Sequence, residues 1–157
     1  MDPPPSGPRF PDVVSHFAVV VDDLETAMAR HAELMGITWP PIRELDRSFR
    51  RGDGTAFHAR LRVVYSRQGP PYLELIEAVP HSPWVMDPTG GLHHIALWSD
   101  HLVEDSARLS KAGAPLELTY DTTEAVHGFA YHREPSGGRL EIIDTALRPT
   151  IEAWIGS

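Results

Sequence analysis

Apolar residues recur along this chain with two different periods, and the periods follow one another in the same order twice. Residues 13–21 form an almost unbroken apolar, β-branched run, which predicts a buried strand. Leu24, Met28, Ala32 and Met35 then share one helical stripe. That predicts a helix over 24–34 with Asp22 as N-cap and Gly36 as its stop. Residues 37–55 read as loop, broken by Pro40-Pro41 and Gly52-Asp53-Gly54. From Phe57 to Val63 apolar and polar positions alternate strictly, predicting a strand with one face of each kind. A turn at Gly69-Pro70-Pro71 leads into a partner strand over 72–79, and residues 80–91 are again loop. The order then returns: a strand over 92–98, Ser99 or Asp100 as a cap, and a helix over 102–112 closed by Gly113. Strands follow near 116–119, 129–133 and 139–144, and residues 151–155 read as a short helical turn.

The two copies match residue by residue. His16-Phe17-Ala18-Val19-Val20-Val21-Asp22-Asp23-Leu24 aligns with His94-Ile95-Ala96-Leu97-Trp98-Ser99-Asp100-His101-Leu102 at an offset of 78. Tyr72-Leu73-Glu74-Leu75-Ile76-Glu77 aligns with Arg139-Leu140-Glu141-Ile142-Ile143-Asp144 at an offset of 67, the difference falling in loops that tolerate length changes. The expected fold class is α+β: paired βαβββ modules forming a cupped mixed sheet with helices on its outer face. Residues 13–79 make the first module, 80–91 the linker, 92–146 the second module and 147–157 a tail. One strand of the first module finds no place in the 37–55 region.

Composition narrows the field. A chain of 157 residues, 41% hydrophobic and 23% charged, is ordinary for a globular protein. No apolar run approaches the ~18–20 residues of a membrane helix. The proline-rich start, MDPPPSGPRFPD, lacks the basic and apolar regions of a signal peptide, so residues 1–12 read as a disordered lead-in. The absence of cysteine removes disulfides and thiolate ligands and makes the cytoplasm the expected compartment. A net charge of −8 without a basic tract argues against nucleic acid and anionic membranes as partners.

The candidate chemistry lies in the repeat. Each copy supplies one strand histidine and one strand glutamate, giving His16, Glu74, His94 and Glu141 at equivalent positions. Each glutamate sits between apolar neighbours, Leu73 and Leu75 or Leu140 and Ile142, that should face the opposite, helix-covered side. A carboxylate beside such a core is costly unless paired or metal-bound. Two imidazoles and two carboxylates suit one divalent metal ion among Zn, Ni, Co, Mn and Fe, without selecting one. The remaining histidines lack this symmetry; His93 points to the other face and reads as structural or as a support for the ligands.

These residues resemble the vicinal oxygen chelate superfamily, whose members include glyoxalase I, methylmalonyl-CoA epimerase, extradiol dioxygenases and bleomycin-resistance binders. The resemblance spans about residues 13–146. It rests on Ser15-His16-Phe17-Ala18, Leu73-Glu74-Leu75-Ile76-Glu77, Gly91-Leu92-His93-His94-Ile95-Ala96 and Glu134-Pro135-Ser136-Gly137-Gly138-Arg139-Leu140-Glu141. The third piece looks like the epimerase branch. The resemblance implies that His16, Glu74, His94 and Glu141 line one metal site inside the cup. Dioxygenases of the family bind iron without the position of Glu74, whereas glyoxalase and epimerase members use four protein ligands, so Glu74 tips the chain toward isomerase chemistry.

The implied activity is a divalent-metal-dependent epimerase or isomerase acting on a small-molecule carbonyl substrate, similar to methylmalonyl-CoA epimerase or to cyclitol epimerases. It would move a proton α to the carbonyl, with Glu141, or else Glu74, as ligand and base. A glyoxalase-type lyase, an Fe-dependent extradiol dioxygenase and a non-catalytic ligand-binding or resistance protein are the alternatives. The epimerase's second glutamate has no counterpart in Thr55–Arg60, where His58 is the residue able to stand in as acid or base. The loop from Pro80 to Val85 is also shorter than the epimerase's connection. Trp98, sharing a face with His94, and Tyr72 and Arg139, sharing faces with the glutamates, are expected to bind substrate. Members of this fold often form homodimers, an expectation that rests on the resemblance alone.

Overall fold

The computed structural model describes residues 13–157; the lead-in read over 1–12 lies outside them. The first module runs β1 (Val14–Val21), α1 (Leu24–Met35), β2 (Arg43–Arg51), β3 (Ala56–Tyr65) and β4 (Tyr72–Glu77). The second runs β5 (His94–Ser99), α2 (Leu102–Lys111), β6 (Leu116–Tyr120), β7 (Phe129–Arg133) and β8 (Arg139–Asp144). A short 3-10 turn, Thr145–Leu147, leads into α3 (Arg148–Ile155). Among the described residues no helix is long and apolar enough to cross a membrane.

The cup closes. Its strands run β1-β4-β3-β2-β6-β7-β8-β5 around an eight-stranded barrel. β1 and β4 are parallel, as are β5 and β8, and the modules join within the chain through the antiparallel pairs β1–β5 and β2–β6. Strand alternation divides the core in two. Ala18, Val20, Phe49, Leu61, Val63, Ile76, Leu118 and Phe129 point inward around Trp84. On the outside, Leu24 of α1 packs on Val64 and Leu75, while Leu102 of α2 packs on Ala130 and Ile142. The apolar neighbours of both glutamates therefore face the helices, as their alternation predicts.

Four readings change. Residues 37–55 are not all loop, because β2 occupies Arg43–Arg51. Its sequence, RELDRSFRR, hides the strand: charged side chains depress β propensity, and only Leu45 and Phe49 mark its inner face. Across its outer face Glu44 pairs with Arg60 and Arg62 of β3, so the strand is held by its neighbour. At the start of α1 the N-cap is Asp23, not Asp22; its carboxylate accepts from the Thr26 amide at 2.7 Å. Gly36 does stop that helix, in the left-handed conformation at φ 68°, but Met35 lies 58% exposed rather than on the buried stripe. At α2 neither Ser99 nor Asp100 caps directly. Ser99 Oγ accepts from the His101 amide and donates to Asp105.

Candidate metal centre

The four strands that carry the repeated His and Glu lie side by side in the barrel, in the order β4-β1-β5-β8. Inward alternation brings His16, Glu74, His94 and Glu141 to one point, where all four are buried. His16 Nε2 stands 3.0 Å from His94 Nε2, 3.0 Å from Glu74 Oε2 and 3.1 Å from Glu141 Oε2. His94 Nε2 stands 3.3 Å from Glu74 Oε2 and 2.9 Å from Glu141 Oε2. All four donor atoms lie within 4.8 Å of one another.

This donor set fits a divalent cation. Bonds of about 2.1 Å at right angles put neighbouring donors about 3.0 Å apart, which is the spacing of the five histidine-containing pairs. His16, Glu74, His94 and Glu141 would hold the ion. The other acidic cluster, Asp23, Glu25 and Glu77, is already engaged: Arg62 pairs with Glu25 and Glu77, Asp23 caps α1, and Glu77 accepts from the Leu24 amide.

Hydrogen bonds on the far ring nitrogens prepare both imidazoles. His93 Nε2 donates to the Pro83 carbonyl at 2.9 Å, so its Nδ1 is left as an acceptor. The His94 Nδ1–H donates to that nitrogen at 2.8 Å, which leaves the lone pair of His94 Nε2 aimed at the cluster. Burial, reinforced by the nearby Arg139 charge, pulls the His93 pKa down to about 3 and keeps it neutral for this role. His16 Nδ1 is paired with Ser15 Oγ at 3.1 Å.

Electrostatics within the cluster are opposed and strong. Burial alone would lower the His16 pKa, but the charges and hydrogen bonds of Glu74 and Glu141 outweigh it and raise it to about 9. His94 is raised for the same reason. Burial would lift both carboxyl pKa values, and the two histidines instead hold them below the usual carboxylate range. A positive charge at the centre is what the surroundings favour.

Above the cluster opens a cavity of about 640 Å³, with Glu74 and Glu141 in its lining. Its walls are largely aromatic and aliphatic, from Phe49, Trp84, Phe129, Leu61 and Val63. Tyr65 pairs with Glu74 across β3–β4, and Tyr131 with Glu141 across β7–β8. Their rings lie 4.7 Å from His16 and 5.0 Å from His94. Burial raises both phenol pKa values far above the ordinary one, so both stay protonated. Trp84 Nε1 donates to the Tyr131 hydroxyl at 3.0 Å. This tyrosine pair repeats between modules, so the internal alignment carried the signal, had it been extended to the third strand of each copy.

The structure does not bring the expected substrate residues to the cavity. Trp98 lies under the Arg148 guanidinium, and with Tyr72 it packs against Tyr65 and the α3 residues Ile151 and Ile155. The tail, read as a brief turn, is a full helix that covers this end of the barrel and turns its own Trp154 and Ile151 to the cavity. Arg139 is neutralised by a two-pronged pair with Glu117, at 2.9 and 2.8 Å. His58 reaches the rim of the cavity but stands on the strand face opposite Phe57 and Leu61. There it pairs with Asp46 and Ser48, apart from the four-donor cluster.

Comparison with known proteins agrees with this architecture. A family model for the glyoxalase/bleomycin resistance protein/dioxygenase superfamily matches residues 15–131. No curated protein matches the sequence. Among solved structures, a variant of Streptomyces coelicolor methylmalonyl-CoA epimerase in complex with 2-nitronate-propionyl-CoA superposes with a TM-score of 0.57 at 16% identity, covering 84% of this chain and 96% of that one. The methylmalonyl-CoA epimerase of Mycobacterium tuberculosis gives 0.56 at 15%, covering 89% and 92%. A hypothetical protein of Bacillus halodurans C-125 gives 0.59 at 15%, covering 83% and 92%. At such identities these likenesses show a shared fold.

Proposed function

Because this chain belongs to the glyoxalase/bleomycin resistance protein/dioxygenase superfamily, we propose that its four-donor centre makes it a divalent-metal-dependent epimerase or isomerase. It would move a proton next to the carbonyl of a small-molecule substrate. The observation that carries this reading is the place of Glu74, buried beside both histidines rather than turned away from them. An iron dioxygenase of this fold needs only two histidines and one carboxylate, so a fourth donor supports proton-transfer chemistry over oxygen chemistry.

His16, Glu74, His94 and Glu141 would hold the cation, which when bound supplies the Lewis acidity that makes a proton α to a carbonyl removable. The chain supplies the rest. Both glutamates converge on the centre through Oε2, and both residues line the cavity. Glu141 would take the α-proton, and Glu74 would return one. Aromatic side chains wall the cavity, and the Tyr65 ring, 4.7 Å from that of His16, belongs to a phenol that stays protonated. The shared fold with methylmalonyl-CoA epimerases supports this reading at the level of reaction type.

Solvent deuterium tests it. Metal-loaded protein incubated in deuterated water with a panel of α-chiral ketones and acyl thioesters should place deuterium at the α-carbon of a substrate it turns over. Glu141→Gln should lower that rate by about 10²-fold or more. A panel converted only with consumption of oxygen would contradict the proposal and point to a dioxygenase.

A further inference from the structure

Opposite the four-donor cluster, across the barrel, stands the seam between β2 and β6. Arg43, Leu45, Arg47 and Phe49 alternate on one face of β2 and line the cavity, Phe49 buried, Arg43 half-buried and Arg47 exposed to solvent. Arg43 and Arg47 are the described arginines whose side chains make no hydrogen bond or ion pair with a described residue. Every other described arginine has such a partner, among them Arg50 on the Thr122, Glu124 and Ala125 carbonyls and Arg139 on Glu117. Of the other carboxylates in the lining, Asp46 is hydrogen-bonded to His58 and Asp121 pairs with Arg50.

The setting suits a ligand. The Arg43 guanidinium lies 5.6 Å from the centre of the Trp154 ring, and Trp154 Nε1 donates to the Pro41 carbonyl, so α3 fixes that wall to the start of β2. On the adjacent strand, Tyr120 lies across from Phe49, and its hydroxyl makes no hydrogen bond with a described residue. Burial raises the Tyr120 pKa, so its hydroxyl remains a donor, and both arginines sit near enough to pull against that rise. With a divalent cation balancing Glu74 and Glu141, Arg43 and Arg47 would outnumber Asp46, the acid in the lining whose described partner is an imidazole.

We propose that Arg43 and Arg47, with the Tyr120 hydroxyl, bind an anionic group on the substrate. The substrate class is then a carbonyl compound with an apolar body whose far end carries a carboxylate or a phosphate. The assignment rests on reading the cavity as a substrate site, and it gives the arginine contact with substrate to Arg43 and Arg47 rather than to Arg139, which is already neutralised. Guanidinium groups suit either anion because their paired N–H donors match its oxygens.

A matched pair of dyes tests this without a carbonyl or a metal. The native protein should bind the anionic 1-anilinonaphthalene-8-sulfonate about tenfold tighter than the uncharged N-phenyl-1-naphthylamine. In the double variant Arg43→Gln/Arg47→Gln that preference should vanish, while binding of the uncharged dye and the metal content stay unchanged, which certifies the fold. Arg43→Lys/Arg47→Lys should retain part of the preference, because the charge is kept. Displacement of the anionic dye by 3-phenylpropionate assigns a carboxylate, and displacement by phenyl phosphate assigns a phosphate. A preference that survives the double Gln substitution, native protein that binds neither dye, or failure of both competitors would overturn the proposal. Solvent deuterium exchange that fails while the dye preference holds would instead count against the reaction assigned above.

Discussion

A histidine presents one ring nitrogen to a cation, and the hydrogen bond on its other nitrogen decides which. Here the Pro83 carbonyl, His93 and His94 form a relay that ends with the His94 Nε2 lone pair inside the barrel. The doublet His93-His94 therefore works as a unit in which one residue orients the other. Replacing His93 by Phe should lower affinity for a divalent cation by roughly 10–100-fold, measured by competition with a chromophoric chelator. Unchanged affinity would show that His94 needs no such support. The pH response follows from the same residues. His16, raised from 6.5 to about 9 in the metal-free protein, stabilises the fold fully below about pH 6.5 and loses that contribution as the pH rises through about 9. A cation replaces that proton. The gain in melting temperature on adding metal to chelator-treated protein should thus be larger near pH 9 than near pH 6. A gain that shrinks with rising pH would contradict the cluster's electrostatics.

At the scale of elements, the barrel separates the chemistry from the packing by strand alternation. Leu75 lies between Glu74 and Ile76 but faces α1, fully buried against Leu24 and Val64. Leu75→Ala should cost about 2–5 kcal/mol in urea unfolding while leaving metal content intact, because the cavity it opens is on the outer side of the sheet. Loss of metal in the folded variant would mean that the two faces are coupled more tightly than the architecture implies. Alternation was also what made the fold legible in the sequence. Strands whose inner and outer faces are both apolar, such as β1 and β4, stand out at once, and the repeat places His and Glu on matching ones. Two elements escaped for physical reasons. Charge-rich β2 is stabilised by Arg60 and Arg62 of its neighbour rather than by its own apolar content. Helix α3 begins at Arg148-Pro149, where proline suits a first turn, ahead of the residues that suggested helix. Alternation fixes which face a side chain takes but not its depth along the barrel. Trp98 and Tyr72 thus share a face with the donors yet end beneath α3, while Arg43, Arg47 and Trp154 line the cavity from elements that read as loop and tail.

At the scale of the molecule, duplication and closure act together. Neither module can assemble the centre alone, since each supplies one histidine and one glutamate, and the β1–β5 seam brings the pairs within 3.3 Å. Closing the barrel also sets the β2–β6 seam opposite the donors, enclosing the cavity between the four-donor cluster and two arginines whose side chains pair with no described residue. The whole account depends on that centre holding a metal. Elemental analysis of protein purified without added metal, native beside Glu141→Ala, tests it most directly. The account predicts about one divalent ion per native chain and far less in the folded variant. No metal in native protein, even after reloading, would contradict it and leave a ligand-binding barrel without metal chemistry.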